Sequence, residues 1–324
     1  MLSRVRIAAV QALAYTGAEE HRNVERAVEY AEEAAAAGAH LVAFPEAYPG
    51  PATGALDWGG RLEAPVEEQL AALARRLNVY VAAGGLEPSS RVPGAYHVSQ
   101  KLYGPEGTVL CHYRRVQPDN PDLNAYFFAG RRHVVPGDEI PVVPTRAGRI
   151  GLQICGELWV PEIARVQMLR GADVILAPVN GRATQTRLRG MWQTWQHIAR
   201  ARAAENLLYV VVPQKFLVGG PAGGIALVAG PEGTLARSTR PGVLVADLDL
   251  ERLRWLRGRV VDAELLAPPS DEAAEAGPSS AARCGQACDR RPDLYGPLVE
   301  PQPDAYDFFY LRRGAPADGE AGVS

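Results

Sequence analysis

Residues 149–170, RIGLQICGELWVPEIARVQMLR, restrict the fold of this chain more than any other stretch. Ile150, Leu152 and Ile154, with Gly151 between, have the pattern of a buried strand, while Pro161, Ile163, Ala164, Val166, Met168 and Leu169 carry helical spacing. Cys155 therefore falls where a strand stops. A strand-to-helix junction holds a side chain on a rigid element and leaves N–H groups of the following turn free to face a substrate oxygen. A free cysteine in such a place is commonly a small buried hydrophobe. The residues after it favour chemistry: Gly156 permits close backbone approach, Glu157 brings a fixed carboxylate, and Pro161 suits the first turn of the next helix.

The same strand-then-helix alternation recurs along the chain. Val5–Gln11 reads as a first strand and Asn23–Ala37 as an Ala/Glu-rich helix closed by Gly38. A second strand, Leu41–Phe44, runs into Pro45-Glu46-Ala47-Tyr48, so Glu46 also sits at a strand mouth, where layered α/β proteins place ligand and catalytic groups. Pro65–Leu77 is expected to be helical, Val79–Leu86 a buried strand, and Tyr96–Tyr103 with Thr108–Tyr113 a pair joined by Gly104-Pro105-Glu106-Gly107. A long connection spans Arg114–Gly137. Its length marks it as functional, and the aromatic cluster Tyr126, Phe127 and Phe128 argues for order. Further on come a strand at Ala172–Val179, a helix at Gly190–Glu205, a strand at Leu207–Pro213, a hairpin within Gly224–Arg237 and a closing strand at Val243–Leu248.

This pattern predicts one α/β domain over residues 1–265, a four-layer αββα sandwich of two stacked sheets with helices outside. Residues 266–324 are read as a C-terminal extension. Its stretch Pro268–Arg283 is polar and without periodicity, hence expected to be mobile, while Asp289–Leu298 is a segment able to dock on the body or a partner.

Composition narrows the function classes. With 47% hydrophobic and 22% charged residues and no apolar run of spanning length, the chain reads as a soluble globular protein without membrane association. The N-terminus enters a strand pattern directly and lacks a secretory layout, which points to the cytoplasm. A net charge of −3 with scattered arginines gives no footprint for nucleic acid. Cys111, Cys155, Cys284 and Cys288 form neither a disulfide framework nor a zinc pattern, so no metal is expected. Of the 34 basic residues only Lys101 and Lys215 are lysines.

The ordered set Phe44-Pro45-Glu46, Tyr113-Arg114-Arg115 and Ile154-Cys155-Gly156-Glu157 with Pro161-Glu162 resembles the carbon-nitrogen hydrolase, or nitrilase, superfamily. Gly171-Ala172-Asp173, Arg202–Asn206, Gly230-Pro231-Glu232-Gly233, Asp247-Leu248-Asp249 and Arg291–Tyr295 extend the resemblance along most of the chain. It implies the αββα sandwich, a Glu-Lys-Cys triad, and hydrolysis of non-peptide carbon-nitrogen bonds without cofactor or metal. Cys155 matches the nucleophile and Glu46 the general base. Attack on an amide, carbamoyl or nitrile carbon would give a covalent thioester or thioimidate that water resolves. The family also implies a homodimer or larger homo-oligomer.

Two positions depart from the family. Arg115 stands where the pattern has lysine; a guanidinium stabilises an oxyanion as a fixed cation but does not readily donate a proton. Neither Lys101, on the preceding strand pair, nor Lys215, after a later strand, is an evident substitute. Asn124, ahead of Tyr126–Gly130, occupies the region of a supporting glutamate, and it can hydrogen-bond but not act as a base. The leading reading is a cysteine-dependent hydrolase. A catalytically silent nitrilase-like binding protein and an amide-forming or acyl-transferring relative are the alternatives. Cys155–Trp159 is closer to the Cys-Glu-Asp-Leu-Trp run of glutaminase-type members than to the Cys-Trp-Glu of nitrilases, which favours an amide or carbamoyl group over a nitrile in a small-molecule substrate. Gly156 is expected to support the nucleophile. Tyr48 and Asn180 are candidate substrate-binding residues, with Trp58 and Trp192 as further wall candidates, and Arg182, Arg187 and Arg189 as a candidate carboxylate reader.

Overall fold

The computed structural model describes residues 2–56, 58, 61–180, 185–219, 224–258 and 290–300, with side chains described at these positions apart from 185–192. Two mixed sheets stack face to face with helices outside, the αββα sandwich. Among the described residues the first sheet holds seven strands. Its central strand β1 (Arg4–Ala14) pairs in parallel with β2 (Leu41–Ala43), which pairs in parallel with β3 (Tyr80–Pro88). Antiparallel β4 (Tyr96–Tyr103) and β5 (Val109–Arg114) complete that side. The second sheet, among the described residues, has six strands: β6 (Val142–Thr145), β7 (Gly148–Leu152), β8 (Val174–Leu176), β9 (Tyr209–Val212), β11 (Ala226–Ala229) and β12 (Thr234–Ser238). Between β9 and β11 the chain crosses to the first sheet as β10 (Gln214–Leu217), parallel to β1, and β13 (Gly242–Asp249) returns there antiparallel to β1.

The strand sequences explain the layering. Along β1, Val5, Ile7 and Ala9 point into the inter-sheet core, while Ala8, Val10 and Ala12 face the outer layer. A strand buried on both faces must be apolar at successive positions, not only at alternate ones. The outer layer is closed by α1 (Asn23–Ala36), through Ala27, Tyr30, Ala31 and Ala34, and by α2 (Val66–Leu77), through Leu70, Leu73 and Ala74. On the opposite side α4 (Pro161–Leu169) and α5 (Gln185–Asn206) cover the second sheet, α5 with Trp195, Ala199 and Ala203 on one face.

Four elements depart from the sequence expectation. The 114–137 connection contains α3 (Pro121–Phe127), started by Asn120, whose side chain accepts from the Asp122 and Leu123 N–H groups, with proline in the first turn. β6 is not evident from sequence because Pro144 interrupts its apolar pattern, which an edge strand tolerates. β10 is continuous with the preceding apolar strand in sequence, although Pro213 marks the change of sheet. α6 (Leu250–Gly258) continues directly from β13, burying Leu250, Leu253 and Leu256. Within the extension, only 290–300 are described. There, Pro292–Leu294 and Gly296–Leu298 form short 3-10 turns with Leu294, Leu298 and Val299 exposed. The expectation of mobility over 268–283 lies outside the described residues.

Candidate active site

Three chain segments converge at the edge of the inter-sheet core. β2 ends at Ala43 and delivers Glu46, β5 ends at Arg114 and delivers Arg115, and β7 leads through Gln153 and Ile154 to Cys155. The alternation along β5 determines which arginine enters: Cys111, Tyr113 and Arg115 point inward, whereas Arg114 lies outside against Glu87.

Glu46 is 1% exposed, Arg115 1% and Cys155 7%, so these polar groups are packed together almost without water. Arg115 Nη1 lies 3.6 Å from Glu46 Oε1. The Cys155 thiol sits beside the Glu46 carboxylate, whose Oε2 has no hydrogen-bond partner, and the Asn180 backbone lies next to the sulfur. Burial raises the Glu46 carboxyl above its ordinary range, against the opposing pull of Arg115. Burial, with the Glu46 charge added, also pushes the Cys155 thiol well above its ordinary value. Both causes favour the thiol over a preformed thiolate. For Arg115, burial works against the charge, but Asp119 and then Glu46 outweigh it and hold the guanidinium firmly cationic.

Local geometry aims these groups. Ala47 and Cys155, each just beyond a strand, adopt left-handed φ values of 48° and 53°. Non-glycine residues rarely take such angles, and they turn the adjoining side chains out of the strand line. The Cys155 N–H donates to Pro178 O at 2.8 Å, which ties the turn to the end of β8. Glu157 is 0% exposed and accepts four hydrogen bonds. Oε2 takes Ile154 N at 2.6 Å and Tyr113 Oη at 2.8 Å; Oε1 takes Val116 N at 2.7 Å and Gln117 N at 3.0 Å. One carboxylate thus fastens the nucleophile turn to the loop carrying Arg115.

The structure gathers Glu46, Arg115, Cys155, Gly156 and Asn180 at one place, with the Asn180 Oδ1 buried and lacking a hydrogen-bond partner. Asn124 is buried in α3. Its Nδ2 donates to Asp119 O at 2.8 Å and Arg132 O at 3.3 Å, so it acts on the loop backbone. Tyr48 is corrected from pocket wall to core. Its ring stacks on Phe44 at 5.7 Å in the layer under α1 and α2, because both side chains project from the helix-facing side of the first sheet. Trp58 lines a separate cavity of about 640 Å³ with Leu62, Glu67 and Leu86. Arg182 and the side chains of Arg187, Arg189 and Trp192 lie outside the described residues.

Two residues were not legible as site components. Asp119 holds Arg115 in a bidentate pair, Nη1–Oδ2 2.9 Å and Nη2–Oδ1 3.0 Å, while Arg115 Nε donates to Gln117 O at 3.0 Å. Lys215, 5% exposed, reaches from β10 to donate to Glu46 O at 2.9 Å and Ala47 O at 3.4 Å. Lys215, not an evident substitute from its place in the sequence, approaches the site because β10 and β2, the strand that leads to Glu46, flank β1 on its two sides. Among the described residues there is no cluster of three or more His, Cys, Asp or Glu able to hold a metal, and no helix long and apolar enough to cross a membrane.

A buried thiol facing a carboxylate of raised pKa, next to a fixed cation, is an arrangement suited to nucleophilic acyl chemistry. The sequence matches the carbon-nitrogen hydrolase family over residues 6–257, and the chain belongs to that family. It is 30% identical over 248 residues to a deaminated glutathione amidase from Synechocystis sp., covering 72% of this chain and 89% of that protein. A human omega-amidase is 26% identical over 246 residues, covering 74% and 87% respectively. An amidase from Nesterenkonia sp. shares the fold with a TM-score of 0.61 at 23% identity, over 78% of this chain and 94% of that one.

Proposed function

We propose that this protein is a cysteine-dependent amidase that hydrolyses a small non-peptide amide or carbamoyl compound through a thioester at Cys155. The observation that carries the reading is the burial of the Cys155 thiol and the Glu46 carboxylate side by side, with Arg115 3.6 Å from that carboxylate. The amidase names of the relatives support it. As the sulfur attacks the carbonyl carbon, Glu46 takes the thiol proton, and the Asn180 N–H and Arg115 face the developing oxyanion charge. Collapse of the tetrahedral intermediate breaks the C–N bond, and the proton held by Glu46 passes to the leaving nitrogen, releasing ammonia or an amine. Glu46 then deprotonates a water that attacks the thioester. The acid departs and the proton returns to the sulfur. Arg115 keeps its proton throughout, so it serves as an electrostatic stabiliser only.

The test is ammonia release from glutamine, carbamoyl amino acids, aliphatic amides and nitriles, with Cys155→Ala as blank and intact-mass detection of an acyl adduct on the wild type. Release from an amide with an adduct absent in Cys155→Ala is expected. A persistent acyl adduct with ammonia release that stops at one equivalent per protein, until another acceptor is added, points to acyl transfer, and neither signal across the panel points to a silent binding protein; both outcomes overturn the hydrolase reading.

The catalytic domain in this proposal spans residues 1–265, works in the cytoplasm, and forms a homodimer with help from the extension, whose Leu294, Leu298 and Val299 present exposed apolar surface. Light scattering of the full chain and of a chain ending at Leu265 tests this: a monomeric full-length protein at micromolar concentration overturns it.

A further inference from the structure

Arg115 just beyond β5, its partner Asp119, and Gly156 in the cysteine turn belong to one feature. We propose that Asp119 and Gly156 are positioning residues that together make room and charge balance for an arginine at the third catalytic position, an inference that rests on the amidase reading.

The steric half of the argument comes from Gly156. A Cβ built on it would stand 2.7 Å from Arg115 Nη2 and 3.1 Å from Asp119 Oδ1, with Arg115 Cζ at 3.9 Å. The atoms nearest to that Cβ thus all belong to the ion pair. Backbone conformation does not require glycine here, since Gly156 is not among the residues of positive φ. The absent side chain is therefore explained by the space the guanidinium and its counter-ion occupy. A lysine at 115 has no second terminal nitrogen and would leave that space empty.

The electrostatic half comes from Asp119. An arginine carries five N–H donors in a planar fork. Asp119 takes one from each terminal nitrogen and Gln117 O takes Nε, which fixes the plane and leaves one N–H on each terminal nitrogen. The Nη1 side faces Glu46 at 3.6 Å. Without Asp119, Glu46 would be the nearest carboxylate to the guanidinium and would be drawn into a direct pair, losing its freedom to move a proton. Asp119 in turn is fixed by its place beside the α3 cap and by the Asn124 Nδ2 bond to its carbonyl at 2.8 Å. The groups facing this cluster are Glu46 from the β2 turn, Cys155 and Glu157 from the β7 turn, and Lys215 from β10. Arg115, Asp119 and Gly156 form a set in which each residue is suited to the other two.

The experiment is a double-mutant cycle of Gly156→Ala and Arg115→Lys, read by thermal denaturation and by kcat and KM. In the wild-type background Gly156→Ala is expected to lower Tm by about 3 °C or more, as overpacking does, and to lower kcat roughly 10- to 100-fold as the fork shifts. In the Arg115→Lys background the same substitution is expected to change Tm by less than about 1 °C and kcat by less than about 3-fold. Asp119→Asn supplies a readout that packing alone would not move. Its loss lets Glu46 ionise more readily, so the acidic limb of the kcat/KM profile moves to lower pH while kcat falls; Asp119→Glu restores part of kcat. Equal effects of Gly156→Ala in both backgrounds, or an unmoved limb in Asp119→Asn, overturn the proposal. If wild type releases ammonia from no substrate while the Tm cycle keeps its coupling, the amidase reading fails and the packing relation stands.

Discussion

Replacing Glu157 by glutamine perturbs the best-satisfied buried carboxylate near the site. As an amide, it keeps one oxygen able to serve Val116 N and Gln117 N. The NH2 end then falls where Oε2 was. Tyr113 Oη can rotate to accept from it, but Ile154 N, now 2.6 Å from an acceptor, meets a donor instead. An orphaned buried N–H costs about 1–3 kcal/mol, and the surviving bonds lose their charge assistance. Relief of the burial penalty that raises the Glu157 pKa offsets part of this. The expected net loss is about 2–3 kcal/mol, or a fall in Tm of about 4–6 °C. Because Ile154 precedes the nucleophile and Val116 follows Arg115, kcat should fall further than stability implies, by about 10²-fold. The assay is thermal denaturation followed by ammonia release at a temperature where both proteins are fully folded. A variant within 1 °C of wild type in Tm (roughly the scale of a neutral substitution) and with unchanged kcat would refute the claim that this carboxylate joins the two turns.

Because burial raises Glu46, the acidic limb of kcat/KM is expected above the ordinary carboxylate value of about 4.3 and absent in Glu46→Gln, measured as a pH–rate profile. A raised folded-state pKa contributes stability present below the unfolded value and lost as pH climbs through the folded one. The Tm difference between Glu46→Gln and wild type should therefore grow in favour of the variant with rising pH. Lys215→Met removes the ammonium from the Glu46 and Ala47 carbonyls and a charge that favours Glu46 ionisation, so kcat should fall roughly 10-fold and the acidic limb should move to higher pH; an unmoved limb counts against an electrostatic role.

Local features of the site and fold are legible in the sequence. Cys155 and Glu46 can be placed because each ends a strand whose apolar run is readable, and the sandwich because those runs alternate with amphipathic helices. Lys215 is hidden by distance: it meets a carbonyl 169 positions away, through a strand that changes sheets, and no periodicity encodes that crossing. Asp119 is hidden differently. Its partner lies only four residues back, but the pairing depends on how a loop folds around the arginine fork. A signal exists in the arginine itself, which when buried demands an anion, and in the glycine after the cysteine, which supplies space. Asn124 stands out in the sequence as a polar residue ahead of the aromatic cluster, but the loop carbonyls of Asp119 and Arg132 that take its Nδ2 depend on how the loop folds. Tyr48 departs from expectation because its proximity to Glu46 in sequence says nothing about which side of the sheet its ring takes.

The pairing of β1 has a consequence for how the chain comes into being. One flank of this strand is covered by β13 along Arg4–Gln11 and by β10 along Gln11–Ala14, both contributed from beyond residue 213. During synthesis β1 emerges well before β10 and β13, and that flank keeps open N–H and C=O groups until those distant segments have left the ribosome. An uncovered apolar strand is a template for wrong partners. Nascent chains halted before Gly242 should therefore recruit chaperones or aggregate, and chains carried past Asp249 should escape both.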